Sequence, residues 1–442
     1  MNVPLFIFLL SSLGVAFIWL GKKASGQVKS QEDYFLSGRS LGLFPLAMTL
    51  LATQLGGGVL MGGAEEAYRS GWVVICYPLG AVLGLLLLGL GFGAKLRRLN
   101  VTTIAEIFEK IYGSKRLRKV ASILSIVSLF MILVGQGIAS RKFFAALGFD
   151  GGILFSSFWL ILVIYTVLGG LKAVVNTDIL QACFILGAFA LAFFSTLFGA
   201  TPDPTTFVAS APQTSVPWLM WLLMPLLYML IEQDMGQRCF AAKKPKLVSL
   251  GSCIAAAILL VACFCPIYFG TMAAKMGIEI PAGSSVLVTA VKALTSPTIS
   301  TVLICAIMMA IISTADSLLC SISSNLSCDF SFSRKKSSVL ASQAITFCVG
   351  MSALALTFFF DSVVGMLMFS YELAVSVLFI PITMAVLWKN PKKSAAIVSM
   401  VIGGISFFFF PAWITVPLAF TGFAATDAIS FTRRGEKGTL NA

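Results

Sequence analysis

The chain lacks histidine entirely and has few charged residues. None of its 442 positions is a histidine, which excludes Ser–His and Cys–His nucleophilic sites and removes the commonest metal ligand. Charged side chains make up 11% of the sequence, whereas about a quarter is usual in a soluble protein. The ten cysteines show no paired spacing and most lie in apolar stretches, as buried free thiols do. Hydrolase and zinc-enzyme functions are therefore disfavoured, and we expect no enzyme activity.

Apolar residues are abundant. They make up 58% of the chain, and runs of about twenty residues, long enough to cross some 30 Å of hydrocarbon, recur along its length. The runs are continuous rather than alternating, which favours helices over a barrel. A soluble globule could not bury this much apolar surface. We therefore predict an all-α membrane protein with about thirteen transmembrane helices.

The predicted spans follow the apolar runs. They cover 2–20, 41–68, 72–95, 117–146, 151–168, 173–199, 216–240, 247–274, 298–328, 337–360, 362–388, 393–410 and 411–430. The first run lacks a basic start and a small-residue cleavage site, so we interpret it as a retained span rather than a signal peptide. Thr102–Tyr112 has apolar residues at helical spacing and is predicted to lie along the membrane surface.

The basic residues predict an orientation. If the N-terminus is outside, all but five of the 31 Lys and Arg residues lie in the inner segments 21–40, 95–119, 169–172, 238–246, 329–336, 389–393 and 431–442. The loop 200–215 has none and falls outside. This placement explains the net charge of +13 by topology and anionic lipid headgroups, without nucleic acid. We expect a multi-pass protein of the plasma (cytoplasmic) membrane, with the C-terminus in the cytoplasm.

Two spans contain interruptions. The second span holds LGGGVLMGG at 55–63, and the seventh holds Pro225 followed by IEQDMGQ at 231–237. Glycine and proline weaken helices and leave backbone groups accessible. Paired interruptions in two halves are typical of inverted-repeat transporters, here spans 2–6 matched to spans 7–11. A glycine face for close helix packing is the alternative for the second span.

Four motifs carry a resemblance. They are EDYFLSGRSLG at Glu32–Gly42, GGLKAVVNTDILQ at Gly169–Gln181, GQRCFAAKKPK at Gly236–Lys246 and ISTADSLLCSISSNLSCDF at Ile312–Phe330. Their order and spacing resemble the sodium:solute symporter family over about residues 32–390. The resemblance implies the leucine-transporter-type fold of two inverted five-helix repeats with additional peripheral helices. The first repeat would cover 41–199 and the second 216–388, with the first span and an inner loop at 1–40 and the last two spans with a tail at 393–442.

The resemblance also implies a sodium site. Carried onto this sequence, its ligands are the carbonyls of Ala52, Leu55 and Ala310 and the hydroxyls of Ser313 and Thr314. A broken glycine-rich helix exposes carbonyls, and hydroxyls in an apolar span need partners. Sodium is a hard cation that prefers such oxygen ligands. Hydrogen bonds from the hydroxyls back to the i−4 carbonyls are the alternative.

A second cation position is implied by the aspartates. Some family members hold a second sodium at positions matching Asp178, Ser313, Asp316 and Ser317, and here the third of these is itself acidic. Intramembrane acids are functional candidates by default. We expect a second sodium or a proton between the two aspartates. Alternatively, Asp178 caps its helix or pairs with a basic loop residue.

The substrate is less well defined. Two stretches, Thr53–Tyr68 and Ser370–Pro381, are most similar to the choline-transporter branch, but Gln54 and Glu232 stand where that branch has tryptophans. The expected cavity residues are polar, acidic or glycine: Gln54, Gly56, Gly57, Gly58, Glu232, Gln233 and Asp234. An acidic lining favours a substrate with an amino group. The acids could instead pair with Arg238 or with Lys243 and Lys244.

These features predict a sodium-coupled symporter that imports a small organic solute. Sodium would be the coupling ion, and we expect the protein to work as a monomer surrounded by lipid. An ion channel and a transporter-like sensor are the alternatives. A channel is disfavoured because an inverted repeat implies alternating access, and a sensor because no soluble output domain follows.

Overall fold

The computed structural model describes residues 2–149, 152–198, 216–330 and 339–439. Within these ranges the chain is helical, and its one extended pairing is an isolated bridge between Leu41 and Ala242. The helices are α1 Val3–Ser25, α2 Gln31–Leu36, α3 Leu43–Gln54, α4 Gly63–Ser70, α5 Cys76–Leu87, α6 Gly93–Arg98, α7 Glu106–Lys110, α8 Lys115–Ala146, α9 Ile153–Phe198, α10 Trp218–Tyr228, α11 Gln233–Ala241, α12 Pro245–Ala262, α13 Phe264–Lys275, α14 Val286–Leu294, α15 Pro297–Asp329, α16 Val339–Leu356, α17 Val363–Leu387, α18 Lys393–Ser406 and α19 Ala412–Thr439.

The predicted spans coincide with these helices, although some are divided and others joined. Spans 5 and 6 form the single helix α9, which turns sharply at Gly170. Spans 2, 3, 7 and 8 are each divided into two α-helices. By length and composition, eight helical stretches of the described chain are able to cross a membrane. The number is below thirteen in part because joined spans count once, as in Ile153–Ala192, and because some helices, such as Leu43–Gln54 and Lys393–Ser406, are shorter.

The surface helix predicted at Thr102–Tyr112 is shorter than expected. Regular α-helix covers only Glu106–Lys110, and the side chains of Ile107 and Phe108 are completely buried. The helix packs against α8 and α17. Its apolar face is therefore covered by protein.

Both predicted interruptions are real breaks in the helices. After α3 the backbone leaves the helical path at Leu55 and resumes in a π-helical turn, Gly58–Gly62, before α4. The seventh span breaks between α10 and α11, where Glu232 is extended. Glycines at the first break and Pro225 near the second explain why helix is lost at these places.

The broken helices lie in a bundle that rests on a scaffold. In the bundle, α3 packs against α12, α4 against α13, and α5 against α10 and α12. The scaffold is centred on α15, which packs against α8, α9 and α16. The apolar stretch of α15 is 94% buried, whereas that of α1 is 17% buried. The centre of the molecule is therefore α15, and α1 is peripheral.

Three of the sequence motifs meet at one corner. Ser37, Gly38 and Arg39 all have positive φ, which turns the chain sharply between α2 and α3. The segment then pairs with the end of α11, because Leu41 N–H donates to the Ala241 carbonyl and Lys243 N–H to the Leu41 carbonyl. The guanidinium of Arg39 also donates to the carbonyls of Phe240 and Val101. The first and third motifs therefore join the two broken spans.

The second motif joins the same corner through Gly170. Its φ of 56° and ψ of −153° lie in a region that only glycine adopts readily. A Cβ at this position would lie 2.4 Å from the carbonyl oxygen of Tyr34. The sharp turn in α9 therefore allows it to approach α2 closely.

We expect Gly170→Ala to destabilise the protein by about 1–3 kcal/mol or more, because both the backbone conformation and the contact with Tyr34 exclude a side chain. Thermal unfolding of the detergent-purified protein would measure this. Gly187→Ala is the matched control on the same helix, because a Cβ there meets no atom within 4 Å. Equal melting temperatures for the two variants would contradict the prediction.

Candidate functional site

The break after α3 lies against the middle of α15. The Ser313 hydroxyl donates to the carbonyl of Ala52 at 3.0 Å and to that of Ala310 at 2.9 Å. The Thr314 hydroxyl donates to the carbonyl of Thr53 at 2.9 Å. All five residues are buried. Four of the five residues predicted to bind sodium thus lie in one hydrogen-bonded cluster.

Leu55, the fifth predicted ligand, ends α3 at this cluster. Its φ of −80° and ψ of 40° take its backbone out of the helical path. The following residue, Gly56, is pressed against α15, since a Cβ there would lie 2.1 Å from the Oγ1 of Thr314. Only glycine fits at this close approach, so the break and the hydroxyl side chains stay in contact.

The cluster has the chemistry of an alkali-cation site. It consists of carbonyl and hydroxyl oxygens, which are hard ligands. The Thr314 hydroxyl bonds to α3 and not to its own helix, so simple back-bonding does not account for it. Ser313 bonds to both helices. These hydroxyls can turn their lone pairs toward a bound cation in place of donating to the carbonyls.

The second predicted group surrounds a buried arginine. Asp178 on α9 and Ser317 on α15 both face Arg238, which lies on α11 and is fully buried. The Arg238 Nη2 lies 3.4 Å from Asp178 Oδ2 and 2.5 Å from the Oγ of Ser317. Ser317 also donates to the carbonyl of Ser313 at 2.6 Å, which connects the two predicted cation positions.

The second aspartate of this group has a different partner. Asp316 accepts a hydrogen bond from the hydroxyl of Tyr165 on α9 and lies near the Ser317 hydroxyl. It is completely buried. One oxygen of Asp178 and the whole amide of Gln181 have no hydrogen-bond partner within the described residues. The group is therefore rich in polar atoms that face one another inside the protein.

A small cavity of about 30 Å³ lies beside the first break. Of the expected cavity residues, Gln54, Gly56, Gly58, Glu232 and Asp234 line it. The other lining residues come mostly from α5, α8, α15 and α17: Thr53, Val59, Tyr77, Ile132, Gln136, Thr314, Leu318, Leu367 and Tyr371. Thr314 thus borders both the cavity and the hydroxyl cluster.

Two expected cavity residues have other contacts. The Gln233 side chain accepts a hydrogen bond from the Ile104 backbone at 2.7 Å, so it binds the loop before α7. Gly57 donates its N–H to the Gln136 side chain at 2.9 Å, and a Cβ there would lie 2.7 Å from the Ala139 Cβ. Both depart from the expectation, because successive residues at a broken helix face different directions.

The cavity contains two neighbouring carboxyl groups, those of Glu232 and Asp234. Both residues are buried, and their carboxyl groups interact with each other. These carboxyl groups do not form an ion pair with Arg238, which instead donates to the backbone carbonyl of Asp234 at 3.0 Å. The aromatic rings of Tyr228 and Tyr371 stack nearby, with centroids 4.5 Å apart.

Four residues of the site were missing from the sequence-based prediction of ligands. Thr49 bonds to Asp178 at 2.5 Å, Tyr165 to Asp316, Gln136 to Gly57, and Arg238 to several of these. A signal existed for Thr49, which lies four residues before Thr53 in an otherwise apolar span, and for Gln136, an amide inside a long apolar run.

Parts of the chain are similar in sequence to known transporters. The high affinity choline transporter 1 of Mus musculus is 29% identical over 230 residues, which cover 49% of this chain and 38% of that protein. The sodium/glucose cotransporter 4 of Danio rerio is 31% identical over 165 residues, covering 37% of this chain and 25% of that protein. The chain thus matches less than two fifths of the length of these relatives, which are transporters rather than enzymes.

Solved structures share the fold. A Na⁺-coupled sialic acid symporter in a substrate-bound outward-open state superposes with a TM-score of 0.78 at 19% identity, covering 96% of this chain and 97% of that one. Mhp1, a nucleobase-cation-symport-1 family transporter, gives a TM-score of 0.60 at 15% identity, covering 91% and 94%. The fold is therefore the leucine-transporter type of sodium symporters. A family model matches residues 34–403, and the chain belongs to the sodium:solute symporter family.

Proposed function

We propose that this protein is a sodium-coupled symporter that imports a small organic solute by alternating access. The observation that carries the proposal is the cluster in which the Ser313 hydroxyl joins the carbonyls of Ala52 and Ala310 across the break. The cluster borders a cavity with two buried carboxyl groups. Family membership makes the chain a multi-pass membrane protein. We place it in the cytoplasmic membrane with its N-terminus outside and expect a monomer.

Sodium would bind between the bundle and the scaffold. Ala52 and Leu55 belong to the bundle, whereas Ala310, Ser313 and Thr314 belong to α15. An ion that bonds to both sides stabilises their contact, so its binding would favour one arrangement of the transporter over another. Inward movement of each charge releases about 2.3 kcal/mol per 100 mV of membrane potential, which can drive solute accumulation.

The helix pairing supports two inverted repeats at 41–199 and 216–388. The first helix of the first repeat, α3, packs against α12, and the corresponding α10 packs against α5. The broken first helix of each repeat thus packs against the second helix of the other repeat. This reciprocal packing places the two breaks together at the cavity, as alternating access requires.

The substrate we propose carries an amino group. Glu232 and Asp234 are buried together, and two neighbouring buried carboxyl groups favour a positively charged partner. The carboxyl oxygens can accept N–H hydrogen bonds, which a primary or secondary ammonium donates. Gln54 and Tyr77 line the same cavity and add polar atoms. At the second group, Asp178, Ser313, Asp316 and Ser317, we propose a further cation position.

We expect Ser313→Ala to weaken sodium binding by about tenfold or more, because one ligand is removed and the site loses a hydrogen-bonding oxygen worth about 1.5–3 kcal/mol toward a charge. The sodium dependence of the melting temperature would measure this in purified protein. Ser323→Ala is the matched control on α15: it is equally buried, but its hydroxyl donates only within its own helix, to Leu319. Unchanged sodium dependence in Ser313→Ala would remove this serine from the sodium site.

A ligand screen tests the substrate. Primary amines, amino acids, quaternary amines, sugars and polyols would be added to purified protein in sodium or potassium chloride, and thermal stabilisation recorded. We expect stabilisation by an amine that requires sodium, and its loss in Glu232→Gln or Asp234→Asn. Glu372→Gln is the control, because this carboxylate in α17 accepts from the Ala412 backbone. Stabilisation by a neutral sugar that survives both cavity substitutions would reject the amino-group proposal, and absence of any sodium-dependent ligand or uptake would reject symport.

A further inference from the structure

Arg238 is a fully buried cation held by side chains and backbone from four helices. Its Nε donates to the Thr49 hydroxyl at 2.9 Å, and its Nη1 to the Asp234 carbonyl at 3.0 Å. Its Nη2 donates to the Ser317 hydroxyl at 2.5 Å and pairs with Asp178 at 3.4 Å. The partners lie on α3, α11, α15 and α9. An arginine removed from water needs acceptors for its five N–H groups, and four hydrogen bonds are formed here.

These acceptors include the ligands expected of a second cation. Asp178 and Ser317 belong to that group, and both contact the same nitrogen of the guanidinium. The Ser317 hydroxyl in turn lies 3.5 Å from an oxygen of Asp316. The positive charge of Arg238 thus stands among the oxygens that a mobile ion would use.

We propose that the guanidinium of Arg238 is the resident cation of this second position, tethered to α11, and that no second sodium binds there. The inference rests on the proposed sodium coupling through the first site. A sodium ion beside the guanidinium would compete for the Ser317 and Asp178 oxygens and would repel a like charge at short range in a medium of low dielectric. Arg238 therefore sets how many sodium ions the chain binds.

The negative charges nearby are distributed in agreement with this assignment. Asp178 faces Arg238, whereas Asp316 accepts a hydrogen bond from the Tyr165 hydroxyl. The first cluster has no acidic side chain among its five predicted ligands, Ala52, Leu55, Ala310, Ser313 and Thr314. These ligands are neutral, so a bound sodium ion would bring the charge to this position. The two positions are connected through Ser317, which donates to the Ser313 carbonyl. A tethered charge at one position thus accompanies a mobile one at the other.

Equilibrium binding of radioactive sodium to the purified full-length protein tests the assignment. The variants are Arg238→Gln, which removes the charge, and Arg238→Lys, which keeps it. Arg118→Gln is the matched control: Arg118 also pairs with a buried aspartate, Asp329, at 2.7 Å, and Asp329 lies at the end of α15, beyond Ser317. The double variant Arg238→Gln with Asp178→Asn removes the ligand that a new ion would use.

The wild type, Arg238→Lys and Arg118→Gln should each bind one sodium ion per chain. Arg238→Gln should bind a second, and the double variant should lose it again. In Arg238→Ala, which leaves room for a small ion, guanidinium chloride at a few millimolar should displace the additional sodium without affecting the first. A merely structural role for Arg238 would produce neither the additional ion nor its displacement.

Two saturating sodium ions in the wild type would overturn the assignment even if the Arg238 variants failed to fold. An unchanged sodium count in a folded Arg238→Gln protein would overturn it as well. A wild type that binds no sodium at all would instead contradict the proposed symport. In that case a single ion gained by Arg238→Gln would still support the tethered cation, so the two failures are distinguishable.

Discussion

Backbone polar groups in an apolar membrane must find partners within the protein, and the rest of this structure depends on that constraint. The break after α3 releases carbonyl and amide groups in the middle of a span, where no lipid can bind them. Ser313 and Thr314 of α15 bind the carbonyls of Ala52 and Thr53, and Gln136 of α8 binds the amide of Gly57. The break is thus stable only where bundle and scaffold meet, and a transporter needs its movable site at that same boundary.

The same constraint governs the buried charges. Acidic side chains cannot remain isolated in low dielectric, so each must have a cation, a proton or hydrogen-bond donors. Asp178 has Arg238 and Thr49, and Asp316 has Tyr165. Glu232 and Asp234 have mainly each other, and they line the cavity. The acids with partners from other helices therefore lie toward the scaffold, and Glu232 and Asp234 face the cavity.

The motifs that carry the family resemblance lie far apart in the chain but form one connected region. Leu41 pairs with Ala242, Gly170 lies against Tyr34, and Arg238 contacts Thr49 and Ser317. These contacts join α2, α3, α9, α11 and α15. A movement of α11 relative to α15 would have to break the hydrogen bond between Arg238 and Ser317.

The sequence by itself determined the helical membrane class, the positions of the spans, the two interruptions and the family, because hydrophobic run length and glycine or proline placement act locally along the chain. It also placed Ser313 in a polar patch of an apolar helix. Only the tertiary structure decided which polar groups became partners: Arg238 pairs with Asp178, and Gln233 accepts from the Ile104 backbone. It also decided that Gln136 completes the broken span. These pairings join residues tens to hundreds of positions apart, and their choice depends on which helix faces meet, a property that local patterns do not contain.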